Sequence, residues 1–259
     1  IAPAAQPGGV GVFVIEVNPR SSRTVPFLSK VTGVPMVQIA VNIMLGRSLR
    51  EQGFPGGLWP EQPLVAVKAP VFSMSKLVDV DTFLGPEMKS TGEVMGVDHT
   101  FEPAVRKAMI ASGLEVRPGT PFLLSISDQT KDEVGPLIRT LHEAGCRLYA
   151  TPGTARLIRS LGIPAETVPK RLNEGHPNVV DVIRDGLVKA VINTLEGGRA
   201  DVRRDGFHIR RTATEARIPC FTSIDTARAA VASLAHPGSY AVRPLSEYRD
   251  PSTIAAEHR

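Results

Sequence analysis

The first periodic stretch of the chain is an alternating one. Val12, Phe13, Val14, Ile15 and Val17 form an apolar run broken by Glu16 and Asn18 and stopped by Pro19. Successive side chains of a strand point to opposite faces, so residues 16, 18 and 20 share one face. The pattern then changes period. Met36, Val37, Ile39, Ala40, Val41, Ile43, Met44 and Leu45 predict a largely buried helix, with Pro35 in its first turn and Gly46 as its stop. Residues 47–62, with three glycines and two prolines, predict a loop in which Trp59 is a packing residue. A strand is expected over 64–72, interrupted by Pro70. The Gly- and Pro-rich stretch 84–96 reads as a solvated loop, and a helix follows at about 100–112 with Phe101, Val105, Ala108 and Met109 on one face.

Gly113 to Pro121 breaks the chain, and from Phe122 strands and helices alternate. Strands are expected at 122–127, 147–150, 167–168 and 190–193, and helices at 131–144, 155–161, 179–185 and 224–234. Such alternation predicts a mostly parallel sheet with helices on both faces, a doubly wound α/β unit. The chain therefore divides into residues 1–117 and 118–259. Between these elements, the arginines of 199–211, interleaved with Asp201 and Asp205, suggest a solvated hairpin, some of them turned to the ligand-binding edge. Residues 243–259 read as a polar tail.

Composition narrows the class. Of 259 residues, 42% are hydrophobic and 22% charged, which is the balance of a soluble globular protein. A net charge of +4 favours small anionic ligands but is too diffuse to imply nucleic acid, and 5% aromatics argue against stacking platforms for single strands. No apolar run reaches the length of a membrane span. Cys146 and Cys220 are the two cysteines and read as buried thiols of a reducing cytoplasm. Residues 1–9 lack the basic and apolar regions of a signal peptide. A ligand-bearing strand at residue 16, with no nucleotide-binding chain before it, leads us to expect the C-terminal piece of something longer.

Two places carry candidate chemistry. The face of Glu16, Asn18 and Arg20 offers a carboxylate, an amide oxygen and a guanidinium in line. Hard oxygen ligands of this kind suit Mg²⁺ shared with nucleotide phosphates, although an ordinary half-exposed strand has the same pattern. The second place is Thr151-Pro-Gly153-Thr154, where a strand runs into a helix. Backbone N–H groups at a helix start, two hydroxyls and a glycine form an anion cradle, unless the threonines merely cap the helix. Lys131, Lys170 and the pair Asn193-Thr194 lie in connections that reach the same carboxyl-end edge, where ligands of such sheets bind. His176 sits in a loop as a capping group or a ligand contact.

The stretch Ile15-Glu-Val-Asn-Pro-Arg20-Ser-Ser-Arg23 through Lys30, followed by Val-Thr-Gly-Val-Pro35, closely resembles the end of the second ATP-grasp half of the carbamoyl-phosphate synthase large chain. Leu84-Gly-Pro-Glu-Met-Lys-Ser-Thr-Gly-Glu-Val-Met-Gly96 resembles a second specific stretch of that family. Residues 118–259 look like its methylglyoxal-synthase-like regulatory domain. The resemblance implies an α/β chain: a C-terminal remnant of an ATP-grasp domain, then a doubly wound, mostly parallel-sheet methylglyoxal-synthase-like domain. The intact large chain phosphorylates bicarbonate, combines the product with ammonia to give carbamate, and phosphorylates carbamate with a second ATP.

By the same resemblance, Glu16 and Asn18 would ligate Mg²⁺ or Mn²⁺, and Arg20 and Arg23 would contact the transferred phosphoryl group. Lys131, Thr151, Gly153, Thr154, Lys170, Asn193 and Thr194 would hold a nucleotide monophosphate effector. The implied partners are the glutaminase small subunit and further copies of the intact enzyme, in the cytoplasm, with no nucleic acid and no membrane. Nearly all of the second ATP-grasp half is missing, so the chain alone is not expected to make carbamoyl phosphate. Ala69 stands where some members carry a glutamate that holds an ornithine activator, and Leu195 replaces a threonine found at the nucleotide site of some members. The rival readings are a free-standing phosphate-binding regulatory module and, more weakly, a methylglyoxal synthase. That lyase needs a carboxylate base beside the phosphate, for which the nearby loop offers His176 and, further on, Asp181.

Overall fold

The computed structural model describes residues 17, 20–73, 88–170, 174–194, 200–235 and 240–250. The strand expected around Glu16 lies outside them. By internal packing the chain divides after Trp59 into a unit of residues 1–59 and a unit of residues 60–259. Residues 60–117 thus pack with the later part of the chain.

The described part of the first unit is a pair of helices, α1 (Thr24–Thr32) and α2 (Met36–Met44). Gly33 at φ 76° ends α1 in the left-handed region that glycine adopts without strain, and the two helix axes are bent by 112°. The expectation of a buried α2 is corrected. Its buried residue is Ile39, whereas Val37, Ile43 and Met44 are exposed, as is Leu45 just beyond it. The apolar stripe of α2 is wider than the one short helix α1 can cover. Phe54 and Trp59 lie with ring centroids 5.9 Å apart, and Trp59, expected to pack, is exposed apart from that contact.

In the second unit, β1 (Val65–Val71) and β2 (Gly92–Asp98) form an antiparallel pair in register Val65↔Asp98 to Val71↔Gly92. The loop expected through residue 96 is therefore a strand from Gly92 onward; backbone pairing with β1 overrides its glycines. Helix α3 (Phe101–Ser112) packs on this pair through Ala104, Val105, Ala108 and Met109. Lys107 of α3 bonds to the Val97 carbonyl and to the Asp98 carboxylate, each at 2.7 Å. It also donates to the hydroxyl of Tyr248 at 2.7 Å. Tyr248 ends the short helix α9 (Leu245–Tyr248) and is buried, so the expected polar tail begins with an anchored segment.

Five parallel strands follow, β3 (Phe122–Ser125), β4 (Leu148–Ala150), β5 (Glu166–Thr167), β6 (Ala190–Asn193) and β7 (Cys220–Phe221), in spatial order β5-β4-β3-β6-β7. The doubly wound expectation is met. Alternate residues of β3 feed two cores. Phe122 and Leu124 pack with α4 (Gly135–Glu143), α5 (Pro152–Ser160) and α8 (Ile224–Ala235). Leu123 packs with α6 (Val179–Arg184) and α7 (Ala200–Glu215) on the other face. The run expected as one helix over 131–144 is a 3-10 helix at Asp128–Glu133 followed by α4, with Pro136 at the start of α4.

The arginine-rich run is also corrected: it is the sixteen-residue α7, not a hairpin. Ile209 and Ala213, four apart on one face, are fully buried against β6 and α6. Cys146 is buried as expected and burial pushes its thiol pKa up, but Cys220 on the edge strand is only half-buried. Among the described residues no single helix is long and apolar enough to cross a membrane.

Helix α6 begins with a capping box. The Asn178 carboxamide oxygen accepts from Val180 N at 2.9 Å and Asp181 N at 3.2 Å, while Asp181 accepts from Asn178 N at 2.9 Å. Asn178→Ala is expected to lower stability by about 1 kcal/mol, roughly 2–4 °C in a thermal melt. The Asn178 N–H, and after it His176, hold the Asp181 carboxyl below the usual carboxylate range. A depressed pKa contributes stability above the unfolded value and loses it as pH falls through the folded one. The stability deficit of Asp181→Asn should therefore be present in full at pH 7 and shrink as pH falls below the ordinary aspartate value of about 3.9, disappearing only below the depressed folded one.

Candidate functional site

The sheet order reverses between β3 and β6. β3 leads through α4 to β4 and β5 on one side, and the chain then returns to β6 and β7 on the other. The crevice beyond the carboxyl ends of β3 and β6 is the usual ligand position of such a sheet. Three connections meet there: residues 126–131 after β3, 151–154 after β4, and 194 after β6.

Hydroxyls knit these connections together. Thr154 Oγ1, fully buried, accepts from Ile126 N at 3.0 Å and from Thr151 Oγ1 at 3.2 Å. Thr194 Oγ1 accepts from Ser127 N at 2.7 Å and lies 3.1 Å from Thr130 Oγ1, which lies 3.1 Å from Ser127 Oγ. The carboxamide of Asn193 bonds to the Ser125 carbonyl at 3.4 Å and accepts from Arg210 at 2.9 Å. Thr151, Thr154, Asn193 and Thr194 are thus brought together as the sequence led us to expect, with their side chains shaping the floor of the site.

The groups left to meet an anion are cations and helix-start N–H groups. Helix α5 starts with Pro152, makes no side-chain cap bond at Thr151, and has its first ladder bond at Ala155 N→Thr151 O, 2.8 Å. The N–H groups of Gly153 and Thr154 precede that ladder and carry the positive end of the helix dipole. Lys131 reaches over this turn: a Cβ on residue 153 would lie 3.2 Å from Lys131 Nζ and 3.9 Å from Arg156 Nη2. Glycine therefore opens the space between backbone and ammonium. Lys131 also pairs with Asp128. By hydrogen bond and then by charge, Lys131 holds the Asp128 carboxyl below its ordinary range, and Lys170 and Arg156 pull the same way more weakly.

Lys131 and Arg156 therefore lie at one helix start that carries no acidic residue in its first turn, and Lys170 acts on the same Asp128 carboxylate. Cations at that position oppose the helix dipole, and an anion would relieve both. Arg156, Ser127 and Thr130 were not among the expected site residues. Arg156, two residues past Thr154, was the one with a signal in the sequence.

His176, in its loop, bonds Asp181 Oδ2 through Nδ1 at 2.6 Å. The same carboxylate closes the α6 capping box, so it is engaged as a structural acceptor. Of the residues expected at phosphoryl transfer, Arg20 is exposed and Arg23 is half-buried at the N-cap of α1. Glu16 and Asn18 lie outside the described residues. Among the described residues no three His, Cys, Asp or Glu side chains gather where one ion could sit.

A separate cavity of about 370 Å³ lies against Ala69, Phe72, Met109, Ile218, Phe221 and Arg217. Arg217 is the one charged side chain among its described lining residues, which include no carboxylate to pair with an amino cation.

Residues 133–222 match the family model described as MGS-like domain, and residues 5–52 match the model described as carbamoyl-phosphate synthase L chain, ATP binding domain. A carbamoyl phosphate synthase large chain of Thermomicrobium roseum is 56% identical over 246 residues, 95% of this chain. The chain spans 23% of the length of that relative. The first match takes in β4 to β7 and the start of α5, while β3 and residues 126–131 lie just before it. On these matches the chain belongs to the carbamoyl phosphate synthase large-chain family.

Proposed function

We propose that the chain is the part of a carbamoyl-phosphate-forming ligase that completes the carbamate-phosphorylating ATP site and carries a nucleotide-responsive regulatory domain. In the first role Glu16 and Asn18 would hold Mg²⁺ or Mn²⁺, which neutralises phosphate charge. Arg20 and Arg23 would stabilise the transferring phosphoryl group. A glutaminase small subunit would supply the ammonia. In the second role the start of α5 takes the phosphate of a nucleotide monophosphate. The observation that carries it is the placing of Lys131 Nζ over the Gly153 backbone, with Arg156 beside it.

Calorimetry of the chain with uridine and inosine monophosphates tests the regulatory role. Heat of binding with at least one is expected, abolished by Gly153→Val, and no heat with either would refute the reading. Ornithine is expected to give no heat, since the cavity beside Ala69 presents Arg217 and no described carboxylate. The second reading, a free-standing regulatory module, draws on the compactness of residues 60–259 as a unit. Under a lyase reading the chain would release phosphate from dihydroxyacetone phosphate. No turnover is expected, because Asp181 is committed to its cap and to His176.

A further inference from the structure

Helix α7 carries two features that its own stability does not require. Gly206 lies in the interior of the helix, where glycine is a poor helix former, and is buried. Arg210, one turn on, is 1% exposed, although guanidinium groups are rarely so deep. The geometry joins the two. A Cβ on residue 206 would lie 2.7 Å from Arg210 Nη1 and 3.3 Å from Asn193 Oδ1. Gly206 is therefore the notch that lets the Arg210 guanidinium lie against Asn193, to which Nη1 donates at 2.9 Å.

That contact orients the strand ends beneath the anion cradle. With Oδ1 accepting from Arg210, the Asn193 carboxamide is turned so that Nδ2 donates to Ser125 O at 3.4 Å. The same carbonyl accepts from Thr194 N at 3.2 Å. Ser125 and Asn193 are register partners at the ends of β3 and β6, where the sheet order reverses. From Ser125 the chain runs directly into residues 126–131, tied at Ile126 N to Thr154 and at Ser127 N to Thr194, and ending on Lys131.

We propose that Arg210 is a positioning residue of the phosphate site: through Asn193 it sets the height of the β3 and β6 ends, and so places Lys131 over the start of α5. The inference rests on the phosphate reading of that site. Gly206→Ala tests it most directly, because it removes no polar group, adds a better helix former and pushes the guanidinium off Asn193.

Uridine monophosphate binding to the full chain is measured by calorimetry, well below each variant's melting temperature. Gly206→Ala and Arg210→Met should each weaken binding at least tenfold, with Arg210→Lys recovering to within about threefold of wild type. Asn193→Asp, which can still pair with Arg210 and so keeps the fold, should also weaken binding at least tenfold, because a carboxylate cannot donate to Ser125 O. Unchanged affinity in Gly206→Ala and Asn193→Asp overturns the inference, even where melting temperatures fall, and these two decide it if Arg210→Met does not fold. A wild-type chain that takes up no nucleotide instead defeats the phosphate reading, and the inference falls with it.

Discussion

Gly96→Ala is expected to lower the melting temperature by roughly 10 °C, the largest stability effect of any single methyl group added to the described structure. Gly96 lies in β2 under α3, and a Cβ there would sit 2.0 Å from the Ala104 carbonyl oxygen and 2.5 Å from Ala108 N. Both are helix backbone atoms, so no side chain can swing aside. The helix must lift off the strand pair, exposing Val105 and Met109, which join the main core. Overpacking of this kind costs about 3 kcal/mol or more, and each kcal/mol is worth roughly 2–4 °C in a domain of this size. Gly92→Ala is the control in the same strand. Its Cβ would meet Val71 Cβ at an ordinary 3.6 Å, and its melt should match wild type within about 2 °C. Calorimetric melts of both variants check the pair; similar losses in each would show that β-strand propensity, not the α3 contact, sets the cost.

The largest effect on binding is expected at Lys131. Replacing it by glutamine should weaken uridine monophosphate binding about 10- to 100-fold, the worth of one hydrogen bond to a charged group in a partly enclosed site. The wild-type affinity should also fall more steeply with added salt than that of the variant, because one ion pair has been removed from the site. Asp128→Asn should act in the opposite direction. The Asp128 carboxylate is the resident partner of the Lys131 ammonium. Without its negative charge, Lys131, Lys170 and Arg156 are left to the ligand, and affinity should rise a few-fold. Titration calorimetry of the two variants at two salt concentrations tests both signs. Equal affinities for wild type and Lys131→Gln would remove the cradle over Gly153 as the phosphate site.

The described ends of the chain show where pattern reading falls short. Helix α2 has the composition of a core helix, yet its stripe is largely exposed, because burial depends on what the fold places opposite it. Helix α7 was hidden by the charges of residues 199–211, whose five arginines and two aspartates suggest a solvated turn. The buried spacing of Ile209 and Ala213 decides the helix only once β6 and α6 are there to receive them. The stretch Gly92–Gly96 has loop composition and becomes a strand because β1 supplies its hydrogen-bond partners.

By itself the sequence determined the doubly wound α/β class, the positions of β3, β4, β6, α3, α5 and α8, and the family. Strand–helix alternation and specific motifs are local properties that survive without coordinates. Lys131, Thr151, Gly153, Thr154, Lys170, Asn193 and Thr194 could be named from the sequence because each lies at, or in the connection after, the carboxyl end of a strand. Only the tertiary structure decided their division of labour. Residues 67 and 28 positions apart in the chain must meet before Thr194 can cap Ser127 N and Thr154 can cap Ile126 N. Once those hydroxyls face backbone, the cations above Gly153 are what remains to receive a phosphate. The roles of Gly206 and Arg210 belong to the same class: a glycine and an arginine on a charged helix acquire meaning only when Asn193, from another strand, lies against both.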